Sequence, residues 1–313
     1  MIHLDAPALA ARLDRRALID ALDAAFRKPP TVPPRMHYAV DAAESGARAG
    51  TLLVMPAWRV GGALGIKIVT VFPDNALRGL PAVAATYLLF DAVTGQPRAL
   101  LDGAELTLRR TGAASALASS YLSLAGASRL AMVGTGRLAP HLIESHAAVR
   151  PIREVRIWGR HLERAEVLAA QLNRADLSVE AAPDLEAAVR WADIVSCATL
   201  SQQPLVLGEW LEPGQHLDLV GAFTPQMCEC DDRTIARAEL YVDTRQGALA
   251  ESGEIIGALE RGVIDRSALR GELSELGSAR FARTGAGVIT LFKSVGSALE
   301  DLVAAELAIR GLT

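Results

Sequence analysis

The spacing of hydrophobic and polar positions changes about one third of the way along the chain. Between residues 8 and 28, apolar side chains recur about every four positions with charges between them, which predicts one amphipathic helix. Pro29 and Pro30 end it, because proline has no amide hydrogen and disfavours a helical residue before it. A loop that carries Arg35 follows.

Strand patterns fill the rest of this first region. The runs Thr51–Met55 and Gly65–Phe72 are apolar and β-branched, and the turn-forming pair Gly61-Gly62 lies between them. Ala84–Phe90 and Ala99–Asp102 continue the pattern. The first hundred residues therefore predict helix plus a mostly antiparallel sheet.

From Thr107 onward, short apolar strands alternate with longer helical stretches, which indicates βαβ units and a parallel sheet. Helices are predicted at 138–149, 161–174 and 185–191, and a last amphipathic helix is predicted from Phe292 to Leu307. The strand candidates are Leu130–Val133, Val155–Trp158, Asp193–Ala198, His216–Val220 and Leu240–Val242.

Composition narrows the class of protein. A chain of 313 residues, half of them hydrophobic and 22% charged, is typical of a compact enzyme with about two domains. The formal charge of −4, with scattered basic residues, argues against nucleic acid as a partner. No apolar stretch is long enough for a membrane span and no export signal is evident. Three cysteines, an odd and sparse set, favour the reducing cytoplasm.

A glycine-rich turn is the main chemical signal of the second region. Gly134-Thr135-Gly136-Arg137-Leu138-Ala139 follows a predicted strand and opens a predicted helix, which is the setting of a dinucleotide-binding loop. Its glycines would let a pyrophosphate approach backbone amides at the helix N-terminus. The alternative is a glycine-rich turn that binds nothing.

The end of the next strand bears on the choice of cofactor. An NAD site usually places an acid there for the ribose 2′-hydroxyl, whereas a 2′-phosphate is met by a cation. Here Gly159 and Arg160 follow Trp158. Because arginine can bind a phosphate with two hydrogen bonds, NADP(H) is favoured over NAD(H), unless Arg160 is only a solvated surface charge.

Three cations in the first region are candidates for binding a carboxylate. Lys67 lies inside an apolar strand, where an ammonium is costly unless it meets an anion. Arg110 lies at the predicted start of a helix, where the helix dipole repels cations, so a bound anion would relieve the mismatch. Arg35 could complete the group. Each could instead be a surface charge, and only their convergence would make a site.

Other candidates carry weaker signals. Cys228-Glu-Cys230 has no second ligand pair, so no metal is assigned. His141 and His146 are five residues apart and do not share a helix face. His37, close to Arg35, is a candidate proton donor or substrate contact because histidine titrates near neutral pH.

Taken together, motifs along nearly the whole chain resemble the ornithine cyclodeaminase/mu-crystallin family. They are Met55-Pro56-Ala57, Gly65-Ile-Lys67, Pro73-Asp-Asn75, Gly79-Leu-Pro81, Phe90-Asp-Ala-Val-Thr-Gly95, Leu106-Thr-Leu-Arg-Arg110-Thr111, Gly134-Thr-Gly136, Val220-Gly-Ala222, Glu251-Ser-Gly253 and Phe292-Lys-Ser294-Val-Gly296. The resemblance implies an α/β fold in which a Rossmann domain, residues 109–290, is inserted in an α+β substrate-binding and dimerisation domain. That domain comprises residues 1–108 and a returning C-terminal helix, 291–313, and the protein would be a homodimer.

The resemblance also implies roles for particular residues. The carboxylate of a small amino or imino acid would meet Arg35, Lys67 and Arg110, with Lys67 and Arg110 as the catalytic pair. The nicotinamide cofactor would lie along Thr111, Gly134, Thr135, Gly136, Arg137, Leu138, Arg160, Thr199, Leu219, Val220 and Ser294.

Two departures from the family pattern bear on the reaction. Ornithine cyclodeaminases carry an acid where Phe223 stands and another where Leu53 stands. The segment Asp218–Pro225 is instead similar to reductases of cyclic ketimines. The leading hypothesis is therefore reduction of a small cyclic α-imino acid, giving proline or pipecolate, with Leu53 and Phe223 against the ring. Ornithine cyclodeamination, reductive amination as in alanine dehydrogenases, and non-catalytic binding as in mu-crystallin are the alternatives.

Overall fold

A computed structural model describes residues 1–41 and 49–312 of the chain. It divides into two compact units, one formed by Met1–Arg110 with Ser297–Thr313 and the other by Thr111–Gly296. The first unit is α+β and the second contains a parallel sheet with helices, so the α/β class predicted from the sequence is confirmed.

The first unit is built on a six-stranded sheet in the order β1-β6-β5-β4-β3-β2. All neighbours are antiparallel except β1 and β6, which are parallel. The strands are β1 Ile2–Leu4, β2 Met36–Val40, β3 Gly50–Trp58, β4 Ala63–Val71, β5 Val83–Asp91 and β6 Pro97–Asp102. The mostly antiparallel sheet expected for the first hundred residues is therefore present.

Among its described residues, the helices that lie wholly in this unit are α1 Ala6–Arg12, α2 Arg15–Arg27 and α10 Ala298–Ile309. The prediction of a single helix over 8–28 is wrong, because the chain leaves helical geometry at Leu13 and Asp14 caps a new helix by accepting a hydrogen bond from the Ala17 amide at 2.9 Å. The prediction for the last helix is also wrong at its start. Phe292 lies in a strand, and α10 begins only after Ser297 and is buried on nearly all sides.

The second unit contains eight parallel strands in the order β13-β12-β14-β11-β10-β7-β8-β9. They are β7 Arg129–Val133, β8 Glu154–Trp158, β9 Ser178–Ala181, β10 Ile194–Cys197, β11 His216–Leu219, β12 Glu239–Val242, β13 Leu269–Glu272 and β14 Thr290–Lys293. From β7 the chain adds β8 and β9 on one side, and it then crosses to β10 on the other side of β7. In sheets of this kind ligands bind where the strand order reverses, at the carboxyl ends of the strands.

Helices pack around this sheet. They are α4 Ala139–Ala147, α5 Leu162–Leu172, α6 Leu185–Trp191, α7 Asp232–Arg237, α8 Arg245–Glu251 and α9 Gly253–Glu260. One long helix, α3 Gly103–Leu122, contributes residues to both units. Short 3-10 turns occur at Pro73–Arg78, Gly208–Trp210, Arg266–Ala268 and Leu273–Glu275. Of the helices described, none is both long and apolar enough to cross a membrane.

Candidate active site

The glycine turn after β7 presents a row of backbone donors. Gly134 has a φ of +122°, and a Cβ there would lie 2.6 Å from the Ala198 carbonyl oxygen, so only glycine fits. Helix α4 begins at Ala139, and its N-cap residue Leu138 provides no side-chain acceptor. Within the described chain, the backbone N–H groups of residues 135–138 make no hydrogen bond. The turn therefore offers unpaired donors at the positive end of a helix, which suits a pyrophosphate.

Gly136, the second glycine of the motif, is not required by contacts with the rest of the protein. A Cβ on Gly136 would meet no protein atom within 4 Å. Gly136 is exposed, as is the next residue, Arg137. This glycine therefore keeps the backbone open to a group outside the protein, which is what close approach of a phosphate requires.

The end of β8 lies against this turn. A Cβ on Gly159 would be 2.7 Å from the Thr135 Cγ2, so any side chain at 159 would require Thr135 to move. Arg160 follows and is exposed. Arg160 makes no hydrogen bond or ion pair with any part of the chain that the structure describes. Its guanidinium is thus available to a ligand beside the turn.

The remaining predicted dinucleotide residues follow the ends of neighbouring strands. The Thr199 Cγ2 lies 3.4 Å from the position of a Cβ on Gly134, so Thr199 borders the glycine turn. Leu219 is the last residue of β11, and Val220 follows it. The Ser294 amide donates to the Leu219 carbonyl at 3.1 Å, which places Ser294 at the end of β14 beside them.

Two of these residues have their own packing roles. The Ser294 hydroxyl donates to the Asp243 carboxylate at 3.0 Å, so it is already engaged within the protein. Thr111 is buried in α3. Its neighbour Gly112 marks the close approach of α3 to α4, since a Cβ there would lie 2.9 Å from the His141 carbonyl oxygen.

In the first unit, Lys67 meets an acid that sequence reasoning did not identify. The Lys67 Nζ lies 2.8 Å and 2.9 Å from the two carboxylate oxygens of Asp301 in α10. Its other acceptor in the described chain is the Thr107 Oγ1, at 3.4 Å. Lys67 is only 2% exposed. Asp301 and Thr107 therefore accept hydrogen bonds from this buried ammonium.

Arg110 reaches the same acid. Its Nε donates to Asp301 at 2.9 Å and its Nη1 donates to Glu300 at 2.6 Å. The helix-dipole argument for Arg110 is wrong, because α3 begins at Gly103, two turns earlier, and the dipole acts mainly on the first turn. Lys67 does meet the anion that its burial was expected to require, but that anion is Asp301 of the protein itself. Arg110 needs no bound anion to neutralise it, since Glu300 and Asp301 already do so.

Electrostatics couple these charges. Burial, followed by repulsion from Arg110, lowers the pKa of Lys67 to about 8, while Asp301 opposes the change and Arg35 adds to it. Burial would raise the pKa of Asp301, but Lys67 and Arg110, with a smaller contribution from Arg35, lower it. All three predicted cations therefore act on one buried carboxylate.

An apolar surface adjoins the cations. Leu53 pairs with Val69, and Met55 pairs with Lys67, so these side chains share one face of the sheet. His37 pairs with Leu53 from the edge strand β2 and lies on the same face. The sheet thus places Leu53 close to Lys67. Phe223, the other predicted ring contact, is half-buried in the second unit, in the loop after β11.

A second buried acid, Glu229, also escaped the sequence analysis. It lies in Cys228-Glu-Cys230, where only the cysteines were considered, yet it accepts hydrogen bonds from Thr199 and Gly221. Burial raises the pKa of the Cys228 thiol to about 11. In the described part of the chain, no group of three or more His, Cys, Asp or Glu side chains is arranged to hold a metal ion.

Comparison with known proteins adds to this picture. The model of the ornithine cyclodeaminase/mu-crystallin family matches residues 8–310. The Delta(1)-pyrroline-2-carboxylate reductase of Colwellia psychrerythraea is 36% identical over 96% of this chain and 96% of its own. The solved structure of Thermococcus litoralis Delta(1)-pyrroline-2-carboxylate reductase in complex with NADH and L-proline has a TM-score of 0.91 at 31% identity, covering 98% of this chain and 96% of that one. An archaeal alanine dehydrogenase dimer with bound NAD has a TM-score of 0.89 at 28% identity, covering 98% and 94%.

Proposed function

Because the chain belongs to the ornithine cyclodeaminase/mu-crystallin family, we propose that it is an NAD(P)H-dependent reductase of a small cyclic α-imino acid. Its substrate would be Delta(1)-pyrroline-2-carboxylate, which gives proline, or the six-membered Delta(1)-piperideine-2-carboxylate, which gives pipecolate. One observation carries the proposal, the group formed by Lys67 and Arg110 around Asp301 with Leu53 on the same face of the sheet.

The cations suit the carboxylate of such a substrate. Asp301 fixes Lys67 and Arg110 from α10, so their side chains are oriented before any ligand arrives. The charges of Lys67 and Arg110 would attract the ligand carboxylate, and Arg35 adds positive charge from the segment before β2. Because these side chains are already ordered, binding of a carboxylate would cost little side-chain entropy. The bound substrate would then be held in one orientation for the reaction, which contributes to the rate.

The apolar surface argues against a substrate with a second ammonium group. Leu53 and Phe223 stand where ornithine cyclodeaminases carry acids, and neither can pair with the side-chain amine of ornithine. Ring methylenes, by contrast, gain from contact with apolar side chains. Reduction of a ring that already contains the C=N bond is therefore favoured over cyclisation of a diamine.

The chemistry needs few groups from the protein. When bound, the dinucleotide supplies hydride to the C=N carbon. The turn at 134–138 would hold its pyrophosphate, and the cations would hold the substrate carboxylate. A protonated imine is already electrophilic, so the remaining task of Lys67, with its pKa of about 8, is to stay charged and orient the substrate at neutral pH.

We assign NADP(H) as the preferred dinucleotide. Gly159 provides no acid for a ribose 2′-hydroxyl, and the exposed guanidinium of Arg160 follows directly. Arginine binds a phosphate more strongly than it binds a hydroxyl, because the hydrogen bonds are charge-assisted. The three cysteines are free thiols, which supports a reducing, cytoplasmic location.

A homodimer would use the second face of the six-stranded sheet. Helix α10 packs against β3 and β4 on the face that carries Lys67. The alternate residues of these strands point the other way, are mostly apolar and are only half-buried. They include Leu52, Val54, Leu64, Ile66 and Ile68. A contiguous apolar face of this kind marks an interaction surface, and the similarity to a dimeric alanine dehydrogenase favours a second copy of this chain as the partner.

Reductive amination of an α-keto acid is the second candidate function, favoured by the same similarity to alanine dehydrogenase. One set of assays separates the reactions. NADPH absorbance is followed with pyrroline-2-carboxylate, with piperideine-2-carboxylate and with pyruvate plus ammonia, and proline formation from ornithine is followed with NAD. We expect NADPH oxidation with an imine and without added ammonia. Turnover only with pyruvate plus ammonia would support reductive amination, proline from ornithine would support cyclodeamination, and tight binding without turnover would support a binding protein.

A further inference from the structure

The buried carboxylate of Glu229 ties together two loops at the carboxyl edge of the parallel sheet. One carboxylate oxygen accepts hydrogen bonds from the Thr199 amide at 2.7 Å and from the Thr199 hydroxyl at 2.9 Å. The other oxygen accepts from the Gly221 amide at 2.8 Å and from the Ala222 amide at 3.3 Å. Every partner is a donor, so the arrangement suits the ionised carboxylate.

These loops leave neighbouring strands on one side of the glycine turn. Thr199 follows β10, and Gly221 follows β11. Strand β10 pairs with β7, which leads into Gly134, and Arg160 lies on the opposite side of β7, after β8. If the pyrophosphate lies on the turn and the adenosine half extends toward Arg160, the nicotinamide half extends toward β10 and β11.

The loops fit together closely. A Cβ on Gly221 would lie 2.1 Å from the backbone N and O of Thr199 and 2.5 Å from the Glu229 carboxylate. Only glycine at 221 therefore allows the two loops to approach this closely around the Glu229 carboxylate. Glu229 itself is fixed by its own amide, which donates to the Glu254 carboxylate at 2.9 Å.

A buried cation balances these acids. The Lys293 Nζ, at the end of β14, lies 3.4 Å from Glu254 and 4.0 Å from Glu229. Burial would lower the pKa of Lys293, but Glu254 and Glu229 raise it, so Lys293 stays charged. The group thus connects the ends of β10, β11 and β14.

We propose that Glu229 is a positioning residue that shapes the Thr199 and Gly221–Ala222 loops for the nicotinamide half of the dinucleotide before it binds. This rests on the proposed dinucleotide binding and needs no assumption about the imine substrate. Glu229 acts through the loops and does not touch the reacting atoms. Preorganisation of this kind raises affinity because the loops need not be ordered during binding.

Equilibrium binding to Glu229→Gln tests the proposal without an imine. The amide brings N–H donors toward the donors of Thr199 and Gly221, so the loops must move apart. The matched control is Asp218→Asn. Asp218 is also fully buried, in β11, but it is hydrogen-bonded to Ser196 at 2.7 Å and to His146 at 3.1 Å. Dissociation constants are measured for NADPH, NADH and ADP-ribose, the last of which lacks nicotinamide.

The expected result is specific to one half of the ligand. In Glu229→Gln, the Kd of the more tightly bound reduced dinucleotide rises by about 10-fold or more, as expected for loss of one charge-assisted hydrogen bond, while the Kd of ADP-ribose changes by less than about 2-fold. Asp218→Asn leaves both the Kd of the reduced dinucleotide and the Kd of ADP-ribose unchanged. Equal losses for dinucleotide and ADP-ribose, or no loss, would overturn the proposal.

The wild-type protein provides a second measurement in case the variant does not fold. Hydrogen exchange of the amides of Thr199, Gly221 and Ala222 is followed in the free protein. The proposal predicts slow exchange before any ligand is added and little further protection with NADPH. Fast exchange that becomes slow only with NADPH would show that the ligand, and not Glu229, orders these loops.

Discussion

The ammonium of Lys67 and the carboxylate of Asp301 form a buried ion pair with N–O distances of 2.8 Å and 2.9 Å, although the residues lie 234 positions apart in the sequence. The pair joins β4 to α10, the helix by which the chain returns to its first unit. Arg110 binds the same carboxylate. In the proposed function, Asp301 holds these two cations in place for a second, incoming carboxylate.

Replacing Arg110 should separate substrate binding from cofactor binding. We expect Arg110→Gln to lower kcat/KM for the imine by about 100-fold or more, because an interaction worth ~2.7 kcal/mol or more in the transition state is lost. The Kd of NADPH should change little. Steady-state kinetics and fluorescence titration measure the two quantities.

The adjacent Arg109 is the matched control. Its Nε donates to Glu105 at 2.6 Å and its Nη1 donates to the Leu13 carbonyl at 3.0 Å, away from Asp301. Arg109→Gln should leave kcat/KM within about 3-fold of wild type. Similar losses of imine reduction and NADPH affinity in Arg110→Gln would argue against carboxylate binding by Arg110.

The pKa of Lys67 predicts an alkaline limit to activity. Lys67 is charged below its pKa of about 8, so kcat/KM should fall as the pH rises through that value. In Lys67→Arg the cation stays protonated at all these pH values, so the alkaline limb should move beyond pH ~10 even if the rate is lower. An unchanged limb in Lys67→Arg would assign it to the substrate or to another group.

Arg160 should determine preference for the 2′-phosphate. Arg160→Gln is expected to raise the Kd of NADPH by about 10-fold and to leave that of NADH nearly unchanged, since only NADPH carries the phosphate that the guanidinium meets. Arg164→Gln, an exposed position in α5, serves as the control and should alter neither value. Equal effects of Arg160→Gln on both dinucleotides would contradict the assignment of NADP(H).

The proposed dimer can be tested on the apolar face of the six-stranded sheet. Ile66→Glu places a charge at the centre of that face, and burial of an unpaired carboxylate is costly, so the protein should become monomeric. Val60→Glu, at the 94%-exposed tip between β3 and β4, should leave the dimer intact. Light scattering coupled to size-exclusion chromatography measures both. A wild type that is monomeric at micromolar concentration would refute the dimer.

Local patterns predicted the parts of the fold that depend on neighbours in sequence. The glycine turn, the antiparallel strands and the βαβ alternation were recognisable because period and turn chemistry act over a few residues. The break between α1 and α2 was missed because the apolar spacing continues through it and only the Asp14 cap marks the new start. Strands β9, β13 and β14 were missed as strands, since they are short and are defined by pairing with distant neighbours.

The candidate site shows the same division. Lys67 was identified because a cation in an apolar segment is costly, and Arg110 was identified from a helix-dipole argument that the structure contradicts. Their partners Glu300 and Asp301 were not identified. Glu300 lies 190 positions from Arg110 in the sequence, and Asp301 lies 234 positions from Lys67. Both acids are on a helix that was predicted only from its apolar positions. Glu229 was not identified because a single acidic residue forms no motif with a recognisable spacing. Buried charges select partners in three dimensions, which a pattern along the chain does not record.

The central claim is that this protein transfers hydride to the carbon that bears the carboxylate of a cyclic imine. The direct measurement uses NADPH labelled with deuterium at C4 of the nicotinamide, with each face labelled in turn, and pyrroline-2-carboxylate. Mass spectrometry and NMR of the product should show proline with one deuterium at Cα from one of the two labelled forms. Absence of NADPH oxidation with both the five- and six-membered imines, or proline without deuterium from either form, would contradict the claim.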